Sequence, residues 1–257
     1  MRSVIVEQTI QAPIERIWHA CSSVTGLRSW QADEVEGEVL QGGQLLLGFP
    51  ALGVAVQLEV ERVERQRSVV LRADDSRLEL RVAPGRVSLE HRADFDEDEC
   101  AGTLSSWRLA LATLAHYLEQ HDGKTRTVHW AVARAAASID DAHAFFSLAG
   151  AQGAWLTRSS SGIGEVGSEV ALELAWGSTL TGRVLSHTPP RDLLVSWRET
   201  GESLLALRTL PSPEVARERL LIGTWSSWGV AQAAPIAQNL DAALSRLSRV
   251  LENRASA

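Results

Sequence analysis

The sequence predicts an α+β protein with two tandem domains, each a curved antiparallel sheet wrapped on a long C-terminal helix, with two short helices. Two observations lead to this prediction. Segments 13–30 and 138–155 share one outline, an amphipathic helix and a polar turn that close on a tryptophan. Each half also ends in an apolar-striped helix that finishes on Leu-Glu and an amide, at 118–120 and 251–253. A whole-domain repeat explains both, and 257 residues suit two domains of ~100–200 residues each.

The elements of the first half follow from periods of 2 for strands and 3.6 for helices. A strand over 2–11 is followed by a helix that starts at Pro13 and ends near Ser22. Six short strands of an antiparallel meander come next, two of them within 36–49 and the others over 54–63, 68–74, 77–83 and 86–95. A helix over 102–120, preceded by an acidic run, closes a first domain of residues 1–123.

The second half repeats this order and predicts a domain of residues 125–257. Its first strand covers 127–135 and its first helix covers 138–147. The remaining strands are predicted within 164–176, within 179–199 as two strands around a proline turn, and over 203–210 and 214–225. The closing helix covers 236–253 and carries its apolar stripe at Ile236, Leu240, Leu244, Leu247 and Leu251.

Composition excludes several classes of protein. Hydrophobic residues make up 45% and charged residues 22% of the chain, which is typical of globular domains. A net charge of −7 disfavours nucleic acid as a partner. Apolar stretches are too short to span a bilayer, and the N-terminus alternates as a strand instead of reading as a signal peptide. Two cysteines fit a reducing compartment, so we expect a cytoplasmic protein that does not bind membranes.

Three stretches resemble a known family. They are "APIERIWHACSSVTGLRSW", "LTGRVLSHTPPRDLLVSW" and the closing helices from Trp107 to Glu119 and from Leu240 to Glu252. Their order is similar to the helix-grip fold of the SRPBCC superfamily (START and Bet v-type proteins), and more closely to its Aha-type (activator of heat-shock-protein ATPase homologue) group. Domain one lacks the Pro-Pro-Arg turn, and Ser138 replaces the helix-starting proline in domain two.

The resemblance implies a cavity between the sheet and the long helix. Relatives use it to hold apolar or amphipathic small molecules; some are aromatase/cyclases of polyketides, and others act on chaperone machinery through their surfaces. Fold alone does not choose between these activities.

Three motifs are weak candidates for cofactor or metal sites. "GIGEVG" (162–167) matches a dinucleotide fingerprint but opens no helix, so we interpret it as a hairpin loop. "DFDEDE" (94–99) lacks the glycine and the final glutamate of a calcium loop and is interpreted as a helix-capping run. "HYLEQH" (116–121) places its two histidines five apart, on different faces of an α-helix, and predicts two exposed histidines. We therefore expect no cofactor and no metal.

Two titratable residues lie in line with apolar neighbours on strands. His91 alternates with Val87, Leu89 and Ala93, so it is either a polar anchor or acid/base at a cavity wall, or a core histidine satisfied by a neighbouring group. Arg208, in line with Leu204 and Ala206, raises the same question.

Nine tryptophans are many for a chain with four phenylalanines and one tyrosine. Core packing is the better interpretation for Trp18 and Trp107, whereas Trp30 and Trp155 fit core packing and a place near the cavity mouth equally well. The candidate ligand-binding residues are Trp30, His91, Trp107, Leu111, Trp155, Trp197 and Arg208.

Two classes of function fit this sequence. The favoured one is a non-catalytic binding protein for a small hydrophobic or amphipathic molecule, with a co-chaperone-like surface for a protein partner left open. The alternative is an enzyme of the polyketide cyclase/aromatase type, which needs an acid/base group beside the cavity. The first is favoured because no cluster of polar residues is visible on the inward faces of the strands.

Overall fold

The computed structural model describes residues 1–212, 215, 218–229 and 234–255, the side chains of 234–238 excepted. The chain divides into two compact units, Met1–Arg126 and Thr127–Ala257. Each unit contains a seven-stranded sheet, two short helices after its first strand and a long helix after its last strand. The predicted fold class, two tandem domains of antiparallel sheet with a long C-terminal helix, is confirmed. We call the units domain one and domain two.

Domain one follows the predicted order of elements closely. They are β1 Arg2–Thr9, α1 Ile14–Ser22, α2 Val24–Arg28, β2 Glu34–Gly37, β3 Gln44–Phe49, β4 Val54–Glu64, β5 Ser68–Ala73, β6 Ser76–Ala83, β7 Arg86–Ala93 and α3 Glu97–His116, which continues as a π-helical turn Tyr117–His121. The sheet order is β1-β7-β6-β5-β4-β3-β2, so β1 pairs with the last strand and the others form a meander.

Helix α3 begins five residues earlier than the apolar stripe predicts. The Asp96 side chain accepts a hydrogen bond from the backbone N–H of Glu99, and the Glu99 carboxylate accepts one from the backbone N–H of Asp96. This capping box satisfies two amides at the helix start, and the acidic first turn suits the positive end of the helix dipole. The acidic run therefore caps the helix: Asp96 is the N-cap, and residues 97–99 form the first turn.

Domain two repeats the order of domain one. Its elements are β8 Arg126–Ala136, α4 Ile139–Ser147, α5 Ala149–Gln152, β9 Thr157–Ser160, β10 Glu169–Leu174, β11 Thr179–Thr188, β12 Asp192–Trp197, β13 Ser203–Pro211, β14 Glu218–Trp228 and α6 Ala234–Ala255. The sheet order is β8-β14-β13-β12-β11-β10-β9. Residues 214, 216 and 217 of the strand predicted over 214–225, and the Ile236 side chain, lie outside the described part of the chain.

The edge strand β9 was not predicted. It pairs antiparallel with β10, and the "GIGEVG" segment forms the connection between them. The hairpin-loop interpretation of this segment is therefore confirmed. The strand was missed because its sequence, Thr-Arg-Ser-Ser, contains no apolar residue to alternate with polar ones.

A shared β-bulge shows that the two sheets follow the same register. In β4 the pairing with β5 shifts between Val60 and Arg62. In β11 the pairing with β12 shifts between Val184 and Ser186. Related sheets keep their β-bulges at the same positions. The recurrence of the bulge at the same point of both sheets therefore makes β4 equivalent to β11 and β5 equivalent to β12.

This alignment extends to the next strand of each domain. Ser68 is the first residue of β5 and pairs with Arg81, while Asp192 is the first residue of β12 and pairs with Arg208. Arg81 and Arg208 are therefore equivalent positions of the repeat, each opposite the start of the preceding strand. The residue opposite the arginine differs, a hydroxyl in domain one and a carboxylate in domain two.

The C-terminal half of α3 is buried around its whole circumference. Every residue from Leu111 to Leu118 is buried, so the single apolar stripe predicted for this helix is wrong in that half. His116 and His121 are also buried, and their ring centroids are 5.3 Å apart. The prediction of two exposed histidines on different faces fails because the π-helical turn, with its i→i+5 hydrogen bonds, has more residues per turn, which brings residues five apart to the same side.

Candidate functional site

The two sequence candidates His91 and Trp107 meet in domain one. His91 lies on β7, paired with Val4 on one side and Leu78 on the other, and Trp107 lies on α3. The indole Nε1 of Trp107 donates a hydrogen bond to Nδ1 of His91 over 3.1 Å. Phe95, which follows the strand, packs edge-on against the imidazole with ring centroids 5.1 Å apart. The imidazole is thus fixed by two aromatic rings.

This contact fixes the tautomer of His91. Because the indole N–H can only donate, Nδ1 of His91 is the acceptor and the hydrogen of the neutral ring sits on Nε2. Burial lowers the pKa of His91 below its ordinary value, since desolvation disfavours the imidazolium. Among the described residues, Nε2 has no hydrogen-bond partner. His91 is therefore a neutral, half-buried donor held in one orientation.

Solvent reaches the sheet-facing side of α3 near this pair. Leu104 and Trp107 are half-buried, whereas Leu111, one turn further, is fully buried at 0% exposure. The interior of domain one is thus closed at Leu111 and more open at the end where His91 lies. Leu111, also a predicted site residue, belongs to the closed part.

Trp30 and Trp155 occupy equivalent places in the repeat. The Trp30 indole donates to the backbone carbonyl of Ala20 over 3.0 Å, and the Trp155 indole donates to the carbonyl of Phe145 over 2.9 Å. Both rings are buried, at 2% and 1% exposure. In each domain, this hydrogen bond therefore holds the segment after the second short helix against the last turn of the first short helix.

Domain two carries different residues at the positions of the His91 site. Leu78 pairs with His91 in domain one, and the equivalent Leu205 pairs with Trp225. An indole therefore replaces the imidazole on the helix-facing side of the sheet. Trp225 was missed by the sequence analysis, although its alternation with Leu221 and Gly223 points it toward the core.

Trp197 is a second large ring on this face of domain two. Trp155, Trp197 and Trp225 belong to one buried cluster, and the equivalent of Trp197 at the end of β5 is only Ala73. Gly182 makes room for this ring, since a Cβ there would approach the indole to 2.8 Å and a backbone oxygen to 1.9 Å. The indole nitrogens of Trp197 and Trp225 are buried without an acceptor among the described residues.

Arg208 lies on the other face of the sheet from this cluster. Its neighbours Leu205 and Leu207 point into the cluster, so Arg208 shares the opposite face with Leu204 and Ala206. The expectation that it faces the interior is corrected, because both faces of β13 are apolar and buried and alternation does not tell them apart. Arg208 instead lies 3.9 Å from the buried carboxylate of Asp192. Desolvation lowers the pKa of Arg208, and the charge of Asp192 opposes that effect.

A histidine pair joins α4 to the connection between β9 and β10. Nδ1 of His187 lies 2.8 Å from the carbonyl oxygen of Gly164, so it carries the hydrogen and donates. Nε2 of His187 is then the acceptor for Nε2–H of His143, 3.1 Å away. Burial first, then the neighbouring His187, lowers the pKa of His143 to about 4, against the opposing charge of Asp140.

In the described part of the chain, no three His, Cys, Asp or Glu side chains converge as a metal site would require. None of its helices is both long and apolar enough to cross a membrane.

The comparisons with known proteins give likenesses of structure only. No protein-family model and no curated protein matches the chain. Similar solved structures include the di-domain ARO/CYC StfQ from the steffimycin biosynthetic pathway, at 12% identity over 99% of this chain and 100% of that chain, with a TM-score of 0.45. The di-domain ARO/CYC BexL from the BE-7585A biosynthetic pathway is 14% identical over 98% and 97%, with a TM-score of 0.42.

One domain-sized neighbour is the Aha1 dimer from Colwellia psychrerythraea, 18% identical over 48% of this chain and 100% of that chain, with a TM-score of 0.42. The neighbours thus include both kinds of protein that the sequence resembles, Aha-type proteins and tandem ARO/CYC proteins. At these identities the likeness concerns the arrangement of helices and strands and carries no activity.

Proposed function

We propose that the protein binds a small amphipathic molecule in the interior of domain one, beside the middle of α3, where His91 and Trp107 meet. The observation that supports this proposal is the fixed, neutral imidazole of His91, whose Nε2–H has no partner among the described residues. This fixed N–H has no protein acceptor among the described residues and is free to donate to a ligand oxygen.

The surroundings of His91 indicate the chemistry of the ligand. Phe95, Trp107 and Leu104 offer aromatic and aliphatic surface, and Nε2 of His91 offers one hydrogen-bond donor. A pocket with apolar walls and one fixed polar group suits a molecule with a ring system and one carbonyl or ether oxygen. A ligand that carries a net positive charge does not suit it, because none of the described carboxylates contacts the imidazole.

We propose a second, weaker candidate site in domain two. The indole nitrogens of Trp197 and Trp225 would donate to an acceptor inside its core, where Trp155 also packs. Trp197 and Trp225 are larger than the equivalent residues of domain one, Ala73 and His91, and fill more of the interior of domain two. We therefore place the principal site in domain one.

The alternative function is an enzyme of the polyketide cyclase/aromatase type. It would use His91 as its acid/base through Nε2–H, because Nδ1 of the neutral ring already accepts from Trp107. Binding without catalysis is favoured because no second titratable side chain contacts His91 in the described residues.

The test uses prodan, a fluorescent naphthalene ketone, and 2-dimethylaminonaphthalene, which lacks the ketone. We expect prodan to bind with a blue shift of its emission. His91→Phe keeps the ring volume and removes the donor, so it should weaken prodan binding about tenfold, near the ~1.4 kcal/mol of one hydrogen bond, and leave the ketone-free compound unchanged.

A control is Trp130→Phe, which alters a half-buried tryptophan on β8 of domain two that belongs to neither candidate site and should leave prodan binding within twofold. Failure of both compounds to bind at millimolar concentration would overturn the proposal and leave a surface-acting interaction protein, the co-chaperone-like possibility. Conversion of a poly-β-ketone thioester to an aromatic product that is lost in His91→Phe would instead establish the enzyme.

A further inference from the structure

A row of polar side chains crosses the outer face of the sheet of domain one, away from α3. Ser68 pairs with Arg81, and Arg81 pairs with Ser88. The row continues at both ends with carboxylates, Glu64 opposite Ser68 and Glu7 opposite Ser88. These residues alternate with inward-facing ones, so they project from the same face, and two hydroxyls flank one guanidinium.

A surface pocket of about 340 Å³ lies over this row. Its lining residues are Arg62, Glu64, Arg67, Ser68, Glu79, Arg81, Val82, Ala83, Arg86 and Ser88. Four arginines and two glutamates line this pocket, and ion pairs within 3.6 Å join Arg62 to Glu64 and Glu79, Arg81 to Glu79 and Glu90, and Arg86 to Glu7. The N–H groups that these pairs leave free to donate favour an anionic ligand.

Ion pairs among the lining residues orient the side chains at the base of the pocket, while N–H and O–H donors remain at its rim. Glu79, only 7% exposed, accepts from Nε and Nη2 of Arg81, both over 3.0 Å, and orients that guanidinium. Arg67 has no carboxylate within ion-pair distance in the described residues. Arg86 has only Glu7 at 3.6 Å, and both of these side chains are more than half exposed. The hydroxyls of Ser68 and Ser88 also have no hydrogen-bond partner within the described ranges.

Domain two gives an internal comparison for this arrangement. The equivalents of Ser68 and Arg81 are Asp192 and Arg208, and the Asp192 carboxylate lies 3.9 Å from the Arg208 guanidinium. In domain one the carboxylates beside the arginine are those of Glu79 and Glu90, and a serine stands at the position where domain two has Asp192. The hydroxyl leaves room and a hydrogen-bond donor where the carboxylate would be.

We propose that this outer pocket of domain one binds the phosphate group of a small molecule. Arginine forks and hydroxyls together donate to several oxygens of one tetrahedral anion, which a phosphate offers and a single carboxylate does not. The volume exceeds that of one phosphate, so a diphosphate or a phosphate ester with a small organic part fits. The site is separate from the interior site of the proposed function and does not depend on it.

The test is calorimetric titration of the whole protein with pyrophosphate and inorganic phosphate, with citrate as an anion of other geometry. We expect Arg67→Gln and Arg86→Gln each to weaken pyrophosphate binding about tenfold. Arg65→Gln, two residues from Arg67 in the same turn but outside the pocket lining, should stay within twofold. Ser68→Asp copies domain two and should abolish binding.

Thermal melts establish that each variant is folded. If Ser68→Asp does not fold, the comparison of pyrophosphate binding by Arg67→Gln and Arg65→Gln tests the proposed site. Equal weakening by Arg65→Gln, or equal affinity for citrate and pyrophosphate, would reduce the site to general charge attraction and overturn the proposal. Absence of binding at millimolar pyrophosphate would overturn it as well.

Discussion

Nε1 of Trp107 donates a hydrogen bond to Nδ1 of His91 over 3.1 Å, which links the long helix of domain one to the last strand of its sheet. The bond requires a bare Nδ1, so it stabilises the neutral imidazole. It also leaves Nε2–H as the group that a ligand can use. The Trp107 indole on the helix thus orients the His91 imidazole on the strand, and the Nε2–H of His91 is the hydrogen-bond donor of the site.

The first prediction is that Trp107→Phe raises the pKa of His91 toward its ordinary value. The variant removes the donor that favours the neutral ring but keeps an aromatic side chain next to it. NMR titration of the His91 Hε1 resonance measures the pKa. Trp18→Phe on α1 is the control and should leave the titration unchanged. An unchanged pKa in Trp107→Phe would mean that burial alone keeps the ring neutral.

The second prediction concerns the paired indole bonds of Trp30 and Trp155. Substitution of either residue by phenylalanine leaves a buried carbonyl, of Ala20 or Phe145, without its donor. We expect each variant to lose about 1–3 kcal/mol of unfolding free energy, measured by urea denaturation. Truncation of Trp30 to alanine would add a large cavity, so phenylalanine is the suitable change for any binding test. A loss below ~0.5 kcal/mol in both variants would contradict this assignment.

The third prediction concerns the buried ion pair of Asp192 and Arg208. Asp192→Asn removes the charge that opposes the desolvation of Arg208 and should destabilise the protein by about 3 kcal/mol, as expected for one partner of a buried pair. Arg208→Met alone should cost a similar amount. The double variant should cost less than the sum of the single variants, which a double-mutant cycle from denaturation curves measures. Strict additivity would show that the two charges do not interact.

The order of elements could be predicted because it depends on local periodicity and on the repeat. His91 could be placed on an inward face because its strand has a clearly polar opposite side at Glu90 and Arg92. The same argument failed for Arg208, since every residue from Ser203 to Leu207 is buried and neither face of β13 is polar. Alternation identifies a face only where the other face meets water.

The contacts of the site residues required three dimensions. Trp107 and His91 lie 16 residues apart on different elements, and no spacing rule predicts that bond. The burial of His116 and His121 depends on a π-helical turn, which has no sequence signature used in reading helical periods. Phe95 was missed because it follows β7 and is not a residue of that strand. Trp225 was missed because domain two has an indole at the position where domain one has the imidazole of His91.

The last prediction concerns the pH dependence of domain two through His143 and His187. The pKa of His143 falls to about 4 in the folded protein, while in the unfolded chain it has the ordinary value near 6.5. The unfolded state therefore binds more protons between these values, and stability is fully present above about pH 6.5 and declines as the pH falls toward 4. One pKa unit corresponds to ~1.4 kcal/mol, so the loss is on the order of 2–3 kcal/mol.

His143→Phe should remove most of this slope, because a ring of similar size remains and nothing titrates there. Urea denaturation at pH 7, 6, 5 and 4.5 measures the slope, and His19→Gln, an exposed histidine on α1, is the control that should keep it. If His143→Phe shows the same pH dependence as the unsubstituted protein, the histidine pair does not couple protonation to the stability of domain two.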